Sequence, residues 1–80
     1  MKKITTLDKI PLLKDAEIIS LHCSNSLIFR LHEMGWIPGT TVIPLFKSCL
    51  SDPIAYSVKG TTIALRKEDA AKIKVKVRTS

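Results

Sequence analysis

Arg30-Leu31-His32-Glu33-Met34-Gly35-Trp36-Ile37-Pro38-Gly39-Thr40 packs the end of a helix, a tight turn and the start of a strand into one short run. Just upstream, Ser24-Asn25-Ser26 offers candidate N-caps, and Leu27, Leu31 and Met34 recur at helical spacing with Ile28 beside them. Gly35 stands where a helix ends on a residue that tolerates positive φ, and Trp36 is placed to close that end. Pro38 holds φ near about −65° and Gly39 supplies the positive φ of a type II turn. The chain is thereby redirected into a strand over residues 40–47. Pro44 lacks an N–H there, so this strand requires an edge or a bulge.

Working outward, residues 17–22 are short, β-branched and preceded by a polar run, which predicts a strand. Residues 7–13 allow one helical turn at most, because Pro11 limits it. Downstream, residues 48–52 read as a loop, 53–58 as a strand, Lys59-Gly60 as a tight turn and 61–65 as the returning strand of a hairpin. Residues 66–71 are good helix formers and predict a further helical turn before a last strand over 72–78. The expected fold class is all-β: a small closed or nearly closed barrel of about five strands, with a short helical insertion and one further helical turn. Its predicted core is Ile18, Leu31, Val42, Leu45, Ile54, Val58, Ile63, Leu65, Ile73 and Val75, and Phe46 and Tyr56, on strands, are assigned to the interior as well.

The chain has 80 residues, enough for one domain spanning residues 1–80 and near the lower limit for a self-sufficient core. Cys23 and Cys49 do not make a disulfide framework. Met1-Lys2-Lys3 could open a leader, but Asp8, Lys9, Lys14, Asp15 and Glu17 interrupt any apolar run. No stretch approaches the roughly 20 apolar residues that cross a bilayer, so the expectation is a soluble, cytoplasmic protein that meets membrane only through a partner. Thirteen Lys and Arg against seven Asp and Glu give a net charge of +6, which suggests nucleic acid or an anionic surface. Lys74, Lys76 and Arg78 alternate with Ile73, Val75 and Val77, however, as on the solvated face of a strand.

In order and spacing, Arg30-Leu31, Met34-Gly35, Pro38-Gly39-Thr40, Asp52-Pro53-Ile54, Gly60, Ala64-Leu65-Arg66, Ala70 and Ile73-Lys74-Val75 together resemble the FeoA family of small accessory proteins of bacterial ferrous iron uptake. The resemblance covers nearly the whole chain. It implies an SH3-like barrel, akin to the C-terminal domain of diphtheria-toxin-repressor-type regulators, and a non-catalytic protein that binds the cytosolic GTPase region of the transporter FeoB. Two positions depart from the family pattern. Ser51 stands where a glycine commonly precedes the Asp-Pro pair, and Lys14-Asp15-Ala16 lacks the usual glycine ahead of the first strand.

No catalytic or cofactor-binding set is read: His22 and His32 lie on separate elements, and no Gly-rich run precedes a helix. Transition metal ion binding would draw on His22, Cys23, His32, Glu33, Cys49 and Asp52, but neighbours on a strand point to opposite faces and His32 and Glu33 diverge by about 100° on a helix. No metal set is assigned. RNA or DNA binding, the alternative raised by charge, lacks an aromatic platform, and a stand-alone interaction module unrelated to iron is the other alternative. Phe29 falls about 200° from Leu27 on the helical wheel, off the core stripe. Phe29, Arg30, Trp36, Ile37 and Pro38 are the expected partner-binding region, with Arg30 as a brace against the core the competing role.

Overall fold

The computed structural model describes residues 2–78, so Met1, Thr79 and Ser80 of the expected domain lie outside the described residues. Strand β1 (Lys2–Thr6) leads through a 3-10 turn at Leu7–Lys9 to β2 (Ala16–Leu21) and helix α1 (Asn25–Glu33). There follow β3 (Thr41–Lys47), β4 (Ile54–Val58), β5 (Thr61–Leu65), the single-turn helix α2 (Lys67–Ala70) and β6 (Ile73–Arg78). All pairings are antiparallel, and the strand order is β1-β6-β2-β3-β4-β5.

This order corrects the expected all-β barrel of five strands. The fold is mixed α/β, with two short helices on one six-stranded sheet, and the sheet is open: β1 and β5 end it and do not pair with each other. The unforeseen strand is β1, whose Lys2-Lys3-Ile4-Thr5-Thr6 shows no apolar alternation and pairs with the far end of the chain, Lys2 opposite Arg78. A strand edge can be guarded by lysine instead of by closure, and β1 carries two. The 3-10 turn packs on α2 and β6, and Leu7 is fully enclosed there.

Of the ten residues predicted for the core, Ile18, Leu31, Val42, Ile54, Val58, Leu65, Ile73 and Val75 are buried, while Leu45 and Ile63 are half-buried. Pro44 explains Leu45. The register of β3 against β4 shifts between Pro44 and Phe46, so Pro44 opposes Tyr56 and Phe46 opposes Ala55. Of the edge or bulge that the missing proline donor calls for, the bulge is the one present. It also corrects the placement of Phe46: strict alternation from Val42 and Pro44 turns this ring inward, but the extra residue flips it outward and leaves it 59% exposed. Trp36 and Tyr56 meet edge to face in the centre, with ring centroids 6.1 Å apart.

Candidate functional site

Helix α1 begins at Ser24, whose hydroxyl accepts from the Leu27 N–H at 3.4 Å, and ends in a Schellman motif. Gly35 N–H donates to His32 O at 3.1 Å and Trp36 N–H donates to Leu31 O at 2.9 Å, with Gly35 at φ +90°. A Cβ at Gly35 would lie 3.1 Å from the Lys59 side chain, so both backbone and neighbour favour glycine. Trp36 and Leu31 pack in the core beneath this cap. Residues 37–40 then close a turn, Thr40 N–H donating to Ile37 O at 3.0 Å, and Gly39 N–H ties it to Ile18 O of β2 at 2.8 Å.

This scaffold fixes the surface expected to bind a partner. Leu31 faces the core and Leu27, Ile28 and Met34 are half-buried against it, whereas Phe29 is 65% exposed on the far side of the helix. Arg30, Ile37 and Pro38 are exposed nearby in sequence, and Arg30 takes part in neither of the two ion pairs among the described residues, Arg66–Asp52 and Lys76–Glu17. Trp36 is different. It is 1% exposed, so its ring supports the surface from below and offers a partner nothing directly. The accessible residues of the expected region are Phe29, Arg30, Ile37 and Pro38, and none of them lines either of the two hollows at residues 2–17, 41 and 76–78.

Other side chains singled out by type do not converge. Among the described residues no group of three or more His, Cys, Asp or Glu could share a metal ion. Cys23 is buried, which pushes its thiol up from the ordinary value, and Cys49 is exposed. Asp52 serves the fold: one carboxylate oxygen accepts from the Lys67 N–H at 2.8 Å at the start of α2 and the other faces Arg66 at 3.8 Å. Ser51 before it has φ +66°, so the left-handed backbone persists without the glycine.

One contact escaped the sequence reading. The Ser20 hydroxyl lies 2.8 Å from His22 Nε2, an i, i+2 pair at the end of β2. It is exposed, and no carboxylate bonds the histidine among the described residues, so the orienting third group of a nucleophilic relay is missing. Tyr56 is another. Its hydroxyl is buried without a partner among the described residues, and burial, helped by Asp8 and Asp52, pushes its pKa up to about 12. The Ser20–His22 pair has a signal in strand periodicity, which puts i and i+2 on one face, whereas the state of the Tyr56 hydroxyl depends on what folds over it.

Comparison with known proteins shows the family. A family model described as FeoA domain matches residues 5–77. Over 51 residues the chain is 39% identical to the Fe(2+) transport protein A/Fe(2+) transporter FeoB fusion protein of Porphyromonas gingivalis, a match covering 64% of this chain but 6% of that protein. The solution structure of FeoA from Chlorobium tepidum has a TM-score of 0.88 at 24% identity, over 94% of this chain and 71% of that one. Stenotrophomonas maltophilia FeoA complexed with zinc has a TM-score of 0.78 at 26% identity, over 95% of this chain and 99% of its own. With the matched model spanning β1 to β6, the chain belongs to the FeoA family.

Proposed function

We propose that this protein is a non-catalytic accessory factor of bacterial ferrous iron uptake, acting in the cytoplasm by binding the cytosolic GTPase region of a FeoB-type transporter. The observation that carries the reading is the P. gingivalis relative, in which a FeoA-like segment and the transporter are one chain. A fusion keeps two components at high effective concentration, which serves proteins that work in contact. The S. maltophilia relative is described as "possibly acting as a bacterial ferrous iron transport activating factor".

Phe29, Arg30, Ile37 and Pro38 form the contact in this reading. An exposed aromatic ring beside an arginine is the composition of an interface anchor, and the Schellman cap and Trp36 hold it on a rigid base. Capture of the transporter's cytosolic region by the immobilised protein, compared with Phe29→Ala and Arg30→Ala, tests it. Binding lost by both variants with unchanged melting supports the interface. Lost melting for Arg30→Ala assigns that residue to bracing the helix, and binding intact in both removes the surface.

A further inference from the structure

Residues 11–14 form a turn that spends its exposed positions on leucine. Lys14 N–H donates to Pro11 O at 3.3 Å, and Leu13 at the third position has φ +66°. That position normally falls to glycine or asparagine, because a side chain there crowds the backbone. Leucine gains little burial in exchange: Leu12 is 41% exposed and Leu13 72%. The corner is also pinned, since Leu13 N–H donates to Pro44 O on β3 at 2.7 Å.

Beside the corner is a hollow of about 330 Å³ against the open edge of the sheet. Ile10, Pro11 and Val77 supply its apolar lining, Lys3, Lys9 and Lys14 its charge, and no carboxylate lines it. Lys2 and Arg78, paired across the same edge, belong to a different hollow that Asp15 and Glu17 also line, so the carboxylates gather away from this corner. Exposed aliphatics and three lysines that take part in neither ion pair among the described residues thus meet at one corner of a protein whose net charge is +6.

We propose that this corner docks on an anionic membrane surface, Leu12 and Leu13 entering the interfacial layer while Lys3, Lys9 and Lys14 pair with lipid phosphates. Charge complementarity selects an anionic occupant. The pairing of protruding aliphatic side chains with lysines then matches a surface whose apolar layer lies just beneath its charges. Nucleic acid is disfavoured because neither turn nor hollow presents an aromatic ring for stacking. The contact is independent of the transporter reading, since lipid alone is sufficient for it.

Flotation of the full chain with vesicles of phosphatidylcholine, with and without phosphatidylglycerol, at physiological salt tests the proposal. Binding is expected only with phosphatidylglycerol. Leu13→Ser, at unchanged charge, weakens it by roughly tenfold, the scale set by lost apolar insertion. The triple variant Lys3→Gln/Lys9→Gln/Lys14→Gln abolishes it, whereas Lys59→Gln/Arg66→Gln/Lys67→Gln, which removes equal charge from the β4–β5 hairpin and α2, retains most of it. No binding to anionic vesicles, equal losses from the two triple variants, or full binding by a folded Leu13→Ser protein each overturns the proposal. So does capture by polyglutamate without binding to vesicles, which would assign the corner to an acidic protein.

Discussion

The turns at residues 37–40 and 11–14 share a closing hydrogen bond and a left-handed third residue, Gly39 at φ +93° and Leu13 at +66°, yet their chemistry is opposite. The first uses Pro38 and Gly39, whose backbone preferences coincide with the turn, and follows directly on the enclosed Trp36. The second uses two leucines, one of them against its backbone preference and both exposed. A turn that serves folding alone is expected to agree with local preference, as the first does. Disagreement without compensating burial is what the proposed docking role outside the fold would account for.

The largest expected contrast is in stability. Trp36→Ala removes a buried ring at the base of the first turn and should cost about 3–5 kcal/mol, enough to unfold a domain of marginal stability. Leu13→Ala, by contrast, should stay within about 0.5 kcal/mol, since the side chain is exposed. Urea denaturation of both variants measures this, and comparable losses would erase the distinction between the turns.

Next is the titration of Tyr56, whose ring stands edge-on to Trp36. A phenol with pKa near about 12 when folded and about 10 when unfolded binds more protons in the folded state between those values, so its stabilisation is complete below pH 10 and is lost as pH rises toward 12. That loss should be on the order of 2–3 kcal/mol and should be missing from Tyr56→Phe. The variant should also be no less stable at pH 7, because the buried hydroxyl it removes has no partner. An alkaline stability profile identical in wild type and Tyr56→Phe would contradict the packing described beneath the first turn.

The smallest effect exchanges the turn chemistries. Gly39→Leu should destabilise by about 1–2 kcal/mol through left-handed strain, and Leu13→Gly should stabilise by up to about 1 kcal/mol, strain relief being partly offset by the added freedom of the unfolded chain. Melting temperatures moving in the same direction would show that the two turns are not equivalent in backbone terms.

Much of this arrangement was legible from local chemistry. The N-cap at Ser24, the helix stop at Gly35, the turn at Pro38-Gly39 and the Lys59-Gly60 hairpin are encoded within a few residues of where they occur, and Phe29 left the core stripe on the helical wheel as it does in the structure. What was not legible is non-local. Strand β1 exists because β6, more than 60 residues away, offers it an edge. Phe46 points outward because Pro44 forces a bulge whose direction alternation alone does not give. The sequence position of Trp36 satisfies both helix-end closure and partner contact, and only its packing with Leu31 and Tyr56 decides for the interior.

Amide shift mapping of the isotopically labelled full chain during titration with the cytosolic region of a FeoB-type transporter tests the proposed function most directly. Perturbations are expected to concentrate at Phe29 and Arg30 on α1 and at Ile37 and Pro38's neighbours in the following turn, leaving the 11–14 corner unshifted in the absence of lipid. A spectrum that does not respond, or that responds only at the β4–β5 hairpin or along β1, would contradict the account.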